Sequence, residues 1–262
     1  GNNGIKRYTS LFDGVEIDEM LVSTIEIEKV SQKISTKLKK AIQMAKSNIE
    51  KFHTSQQWYA EIIETTKGVK CWQETRAIEK VGLYIPGGTA PLFSSVLMLA
   101  VPAQIAGCKE IILCTPPDKS GAINPAILYT ANLCGVTKIY KVGGIQAIAG
   151  LTFGTESIPK VYKIFGPGNQ FVTVAKQLAT KYGVAIDMPA GPSELLVVAD
   201  ATANASFVAS DLLSQAEHGI DSQVILVSTS LNFIEKVENE VAKQLQNLPR
   251  KNIAEKAIEN SK

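Results

Sequence analysis

Imidazole chemistry is confined to two places in this chain, because its only histidines are His53 and His218. His53 follows a long charged stretch and reads as a surface or capping residue. His218 ends the run Asp211-Leu-Leu-Ser-Gln-Ala-Glu-His218. Read as a helix, that run places Asp211, Gln215 and His218 at i, i+4 and i+7, with Ser214 beside them. Ala205, Val208, Ala209, Leu212, Leu213 and Ala216 form the opposite, apolar face. Gly219 is expected as a left-handed C-cap. The ordinary meaning of such a stripe is a solvated face; the chemical one is a row of ligands aimed into a cleft. A helix C-terminus favours positive charge, which suits a cationic switch or a metal that competes with a proton. Asp211, Glu217 and Asp221 are candidate oxygen ligands, and on charge they rank ahead of the neutral amide of Gln215. A His-rich zinc site cannot be assembled from two histidines.

A second set of polar residues accompanies glycine-rich turns. Ile85-Pro-Gly-Gly88, Val142-Gly-Gly144 and Phe165-Gly-Pro-Gly168 each follow a short apolar run and lead into a helical pattern. Glycine there lets a ligand approach the backbone, and the helix that follows presents free N–H groups to phosphate. Tyr84 precedes the first turn, Gln146 follows the second and Asn169 closes the third. Each could bond a ribose, amide or phosphate. Their ordinary readings are a packed strand tyrosine, a solvated glutamine at a helix start and an asparagine N-cap. Ser193, after Gly191-Pro192, is equally open. None of the turns is a GxGxxG or Walker loop.

These residues need a scaffold, and the hydrophobic pattern describes one. Residues 5–22 read as a mixed lead-in with a turn at Asp13-Gly14, and Ser23 to Phe52 as one long helix or two short ones. The segment 53–80 is polar, with short strands expected near 69–72 and 75–79. From Val81 onward, strands expected at 81–86, 110–115, 138–142, 161–165, 185–188, 194–200 and 223–228 alternate with helices. That alternation marks βαβ units and a parallel sheet covered on both faces. The expected class is α/β, a parallel-sheet protein preceded by a long N-terminal helical segment. No flexible linker is visible, so domain boundaries are expected near Gly82 and Pro192.

Composition closes off other classes. With 262 residues, 45% hydrophobic and 20% charged, the chain is an ordinary globular one. A formal charge of +2 gives no footprint for nucleic acid or an anionic membrane. No apolar run is long enough to span a bilayer, and no signal peptide opens the chain. The four cysteines, Cys71, Cys108, Cys114 and Cys134, lack metal-knuckle spacing and read as reduced residues of a cytosolic protein. The opening Gly1-Asn-Asn-Gly4 suggests a trimmed N-terminus.

Five stretches, in order, carry a resemblance. Val81-Gly-Leu-Tyr-Ile-Pro-Gly-Gly88, Val142-Gly-Gly144, Ile164-Phe-Gly-Pro-Gly-Asn169, Ile186-Asp-Met-Pro-Ala-Gly-Pro-Ser-Glu194 and Ser210-Asp-Leu-Leu-Ser-Gln-Ala-Glu-His-Gly219 resemble the histidinol dehydrogenases. The resemblance implies Rossmann-like lobes related to the aldehyde dehydrogenase fold. Residues 1–81 with 193–262 would form the first lobe, and 82–192 the second, NAD-contacting one. It implies a zinc-containing, homodimeric, cytoplasmic enzyme that oxidises L-histidinol through the aldehyde to L-histidine, the last steps of histidine biosynthesis, with two NAD. Matched position by position, Tyr84, Gln146 and Asn169 would contact NAD. Ser193, Gln215 and His218 would contact substrate, and Gln215 and His218 would also bind zinc. The family's catalytic Glu-His pair and two further zinc ligands match no residue here, so a fragment inactive by itself is expected.

Two alternatives belong to other classes. One is a non-catalytic NAD-binding or interaction module with the same fold. The other is an aldehyde dehydrogenase with a cysteine nucleophile, for which Cys108 and Cys114 lack an activating setting.

Overall fold

The computed structural model describes residues 1–87, 91–189 and 194–261. They form two compact units, Gly1–Ala190 and Gly191–Lys262.

The first unit opens with three helices. The lead-in is helical where a mixed segment was expected: α1 runs Asn2–Asp13 and ends on Gly14 at φ 66°, the left-handed stop that glycine accepts without strain. The next stretch forms two helices, α2 (Thr24–Ser31) and α3 (Thr36–Thr54). Ser35 makes the break, its side chain accepting from the Leu38 N–H at 3.2 Å as an N-cap. An antiparallel hairpin of β1 (Ile63–Thr66) and β2 (Val69–Cys71) follows. Residues 75–79, expected as a strand, are irregular.

The centre of this unit is a five-stranded parallel sheet in the order β5-β4-β3-β6-β7. Its strands are β3 (Lys80–Tyr84), β4 (Glu110–Thr115), β5 (Lys138–Lys141), β6 (Lys163–Phe165) and β7 (Ala185–Ile186). Helices α4 (Phe93–Ile105), α5 (Pro125–Leu133), α6 (Gly144–Phe153) and α7 (Gln170–Ala179) connect them. The period-2 alternation of each strand separates two cores. Val81, Leu83, Ile85, Ile111, Leu113 and Ile139 pack with Val96, Leu97, Leu128 and Ile42 on one face. Tyr84, Ile112, Cys114, Tyr140 and Val142 pack with Ala147, Ile148, Leu151 and Ile5 on the other. This is a doubly wound lobe. Helix α1 packs on α6, α2 on α5 and α3 on α4, helices of the 82–192 segment.

The second unit pairs β8 (Glu194–Val198) with β9 (Gln223–Val227) in parallel. Helices α8 (Ala205–Ala216), α9 (Leu231–Leu245) and α10 (Lys251–Glu259) surround their own core, in which Leu213, Ala216, Val237 and Ala254 are buried. The sequence pattern did not single out α10.

Candidate functional site

Strand order locates the crevice of the first unit. The chain runs outward from β3 to β4 and β5, then returns to place β6 on the other side of β3. The switch point therefore lies beyond the carboxyl ends of β3 and β6, where open α/β sheets bind ligands. The glycine turn after β6 meets the end of β3 there. Gly166, after β6, has φ 128°, and a Cβ on it would lie 2.0 Å from the Tyr84 carbonyl oxygen at the end of β3. The turns after β3 and β5 converge on Pro116, beyond β4. A Cβ on Gly87 or Gly143 would come within 2.6 or 2.5 Å of the Pro116 ring.

Tyr84 is the last residue of β3 and is buried. Its hydroxyl oxygen accepts from the Gly144 N–H at 3.1 Å. Burial pushes its ionisation up to about 12, so the phenol keeps its proton and remains a donor. Gln146, expected as a solvated helix-start residue if it carried no ligand, is instead 3% exposed. Its Nε2 donates to the Asp13 carboxylate at 2.9 Å, while its Oε1 is buried with no hydrogen-bond partner among the described residues. In the sequence Asp13 is legible only as part of a turn. Burial raises its carboxyl above the usual range, opposed by the Lys119 charge and the Gln146 hydrogen bond.

Asn169 is exposed and N-caps α7, its Oδ1 accepting from Val172 N–H at 3.0 Å. The capping role expected of it whatever its ligand is therefore present. The turn before it is held by a pair the sequence reading missed. Lys176 donates to the Gly166 carbonyl at 2.7 Å, Asp187 Oδ2 accepts from the Gly166 N–H at 2.8 Å, and the two side chains form an ion pair. One signal was available: Lys176 shares the buried stripe of α7 with Val172 and Ala179, and a lysine there needs a charged partner.

In the second unit α8 has the expected faces. Val208, Ala209, Leu212, Leu213 and Ala216 are buried, Asp211 and Ser214 exposed, and Gln215 half-buried. His218 lies two residues beyond the helix, exposed, with Nδ1 3.4 Å from the Ser214 carbonyl. Gly219 is not a left-handed cap, since it is absent from the glycines with positive φ; the turn continues in right-handed geometry through Glu217, whose N–H bonds back to Leu213 and Gln215. Ser193 lies outside the described residues. Glu217, ranked high on charge, accepts from the Arg250 N–H at 3.4 Å, and Asp221 is exposed. Among the described residues no three His, Cys, Asp or Glu side chains gather as a metal site. Gln215 and His218 offer an amide oxygen and an imidazole nitrogen, donor types that zinc accepts but only half of a tetrahedral set.

Cys108, Cys114 and Cys134 are not prepared as nucleophiles. Cys114 is fully buried with its thiol pushed up to about 12, and Cys134 is buried at about 11; Cys108, half-buried, is also raised. Thiolates form where pKa is lowered, and here burial acts the other way.

A family model described as histidinol dehydrogenase matches residues 1–262. Histidinol dehydrogenase of Bacteroides thetaiotaomicron is 61% identical across the whole chain, and that of Pasteurella multocida 55%. The chain spans about 61% of the length of these curated relatives. The crystal structure of histidinol dehydrogenase from Elizabethkingia anophelis superposes with a TM-score of 0.96 at 62% identity, covering 99% of this chain and 60% of that one. A propionaldehyde dehydrogenase from Rhodopseudomonas palustris shares the fold at 12% identity, with a TM-score of 0.50 over 93% of this chain and 61% of that one.

Proposed function

This chain belongs to the histidinol dehydrogenase family, and we propose that it supplies the NAD-binding lobe and part of the zinc and substrate platform of such an enzyme. The reaction is the oxidation of L-histidinol through the aldehyde to L-histidine, with two NAD reduced in turn, by a cytoplasmic homodimer. The observation that carries this reading is 61% identity across all 262 residues with an enzyme of that name. The switch-point geometry supports it, because three turns suited to a nucleotide line one edge of a single sheet.

In this reading Tyr84 and Gln146 border the nucleotide at Gly144, the tyrosine as donor and the glutamine as acceptor. Asn169 orders the first turn of α7 at the other side of the switch point. Ser193, Gln215 and His218 contact the substrate. Gln215 and His218 would also hold zinc, which when bound fixes the imidazole and amine of histidinol. Their contribution is positional, keeping the alcohol carbon oriented for hydride loss. Alcohol oxidation also needs a base near the hydroxyl, and no residue of the 262 is assigned that task.

The expected outcome is therefore NAD binding by this chain without turnover. Calorimetric titration with NAD should give a saturable isotherm, and adding L-histidinol and zinc should produce no NADH absorbance. NADH formation at a rate comparable to a full-length relative would refute the assignment of roles.

A further inference from the structure

Asp13 is in an unfavourable place for a carboxylate. It is the last residue of α1, where the helix dipole disfavours negative charge, and it is partly withdrawn from water. Departures from local rules of this kind concentrate at functional sites. Its carboxylate is delivered to the start of α6 by packing between α1 and α6, with Ile5 against Gly150. Lys119 anchors the same residue through its backbone carbonyl at 3.1 Å.

What it meets there is an amide that could sit either way round, since exchanging the oxygen and nitrogen of glutamine changes its shape little. An ionised carboxylate only accepts hydrogen bonds, so it admits one orientation: Nε2 toward Asp13, Oε1 away from it. That oxygen is buried and has no partner among the described residues, a state that costs free energy unless a donor arrives. It lies against Gly144, where a Cβ would come within 2.7 Å of it. Gly144 is half-buried with φ 56°, and having no side chain it adds nothing over that oxygen. The Tyr84 hydroxyl, held by the same Gly144 N–H, still has a proton to give.

We propose that Asp13 is a positioning residue of the nucleotide site, which locks the Gln146 amide so that its carbonyl oxygen receives an N–H or O–H of the ligand. Beside Tyr84 this makes a donor–acceptor pair at Gly144, matched to a group offering both functions, such as a primary carboxamide or a ribose hydroxyl. The proposal rests on the nucleotide reading of this site.

Asp13→Asn separates orientation from structure. An asparagine can face Gln146 with either its oxygen or its nitrogen, so the amide is no longer locked. The groups facing Asp13 are Lys119, Tyr84 and Gln146. Because burial raises its carboxyl in the folded state, the stability tied to its neutral form is fully present below its unfolded pKa and is lost as pH rises through the folded one. The neutral variant should therefore melt no lower than the unsubstituted chain at neutral pH, and the difference should vanish in acid. NAD affinity should nevertheless fall, by roughly three- to tenfold, and the same substitution should cost nothing further in a Gln146→Met background.

Unchanged affinity in D13N, or an equal loss in the Gln146→Met background, would overturn the proposal. So would a Gln146 side-chain amide that exchanges freely with solvent by NMR in the unsubstituted chain. If that amide is protected but the chain does not bind NAD, the nucleotide reading fails while the locked orientation stands.

Discussion

Gly166 is where the nucleotide reading depends most directly on one residue. Its backbone N–H and carbonyl are bonded by Asp187 and Lys176, and its missing side chain lets the turn after β6 rest on the Tyr84 carbonyl. A methyl group there would meet backbone on one side while a φ of 128° disfavours any L side chain. Gly166→Ala is expected to cost on the order of 3 kcal/mol, seen as a lower urea midpoint. A loss under 1 kcal/mol would mean that the turn relaxes freely. The capping asparagine was readable because N-caps follow from local sequence. The Lys176–Asp187 pair was not, since 11 positions separate its members and only the return of β7 beside β6 joins them.

At the scale of elements, α8 shows how far periodicity reaches. Its apolar positions were legible as a face, and all those from Val208 to Ala216 are buried. Leu213 is 2% exposed, so Leu213→Ala should remove about 3 kcal/mol, the usual cost of a leucine-sized cavity. Hydrogen exchange at the β8 and β9 amides would report it; unchanged protection would show that the core of this unit collapses around the gap. The end of α8 was less legible. A glycine after a helix suggests a left-handed stop, yet the chain turns at Glu217 without one. The lead-in to the first unit was missed for a related reason: α1 has a mean composition that is polar, and its helical state comes from Ile5 and Thr9 docking on the lobe.

For the whole molecule, the two units carry different parts of the proposed chemistry. The first holds Tyr84, Gln146, Asn169 and Asp13; the second holds Gln215 and His218. Zinc bound through one amide and one imidazole lacks the four donors that hold it tightly. We expect zinc affinity at least about a hundredfold below that of a full-length relative, measured by competition with a chelator. Equal zinc retention by the two after dialysis would show that the 262 residues suffice.

Sequence by itself determined the α/β class, most strand and helix positions beyond Val81, and the family, because hydrophobic period and turn chemistry are local properties written in neighbouring residues. It also placed Tyr84, Gln146 and Asn169 beside glycine turns, although the ligand roles of those residues come from the family match. Tertiary structure alone decided that the turn after β6 rests on the end of β3, that Gln146 is buried rather than solvated, and that Asp13 reaches it from 133 positions away. The physical reason is burial. A carboxylate, an amide and a lysine look solvated in sequence, and only the packing of distant elements takes water from them and gives them one another as partners.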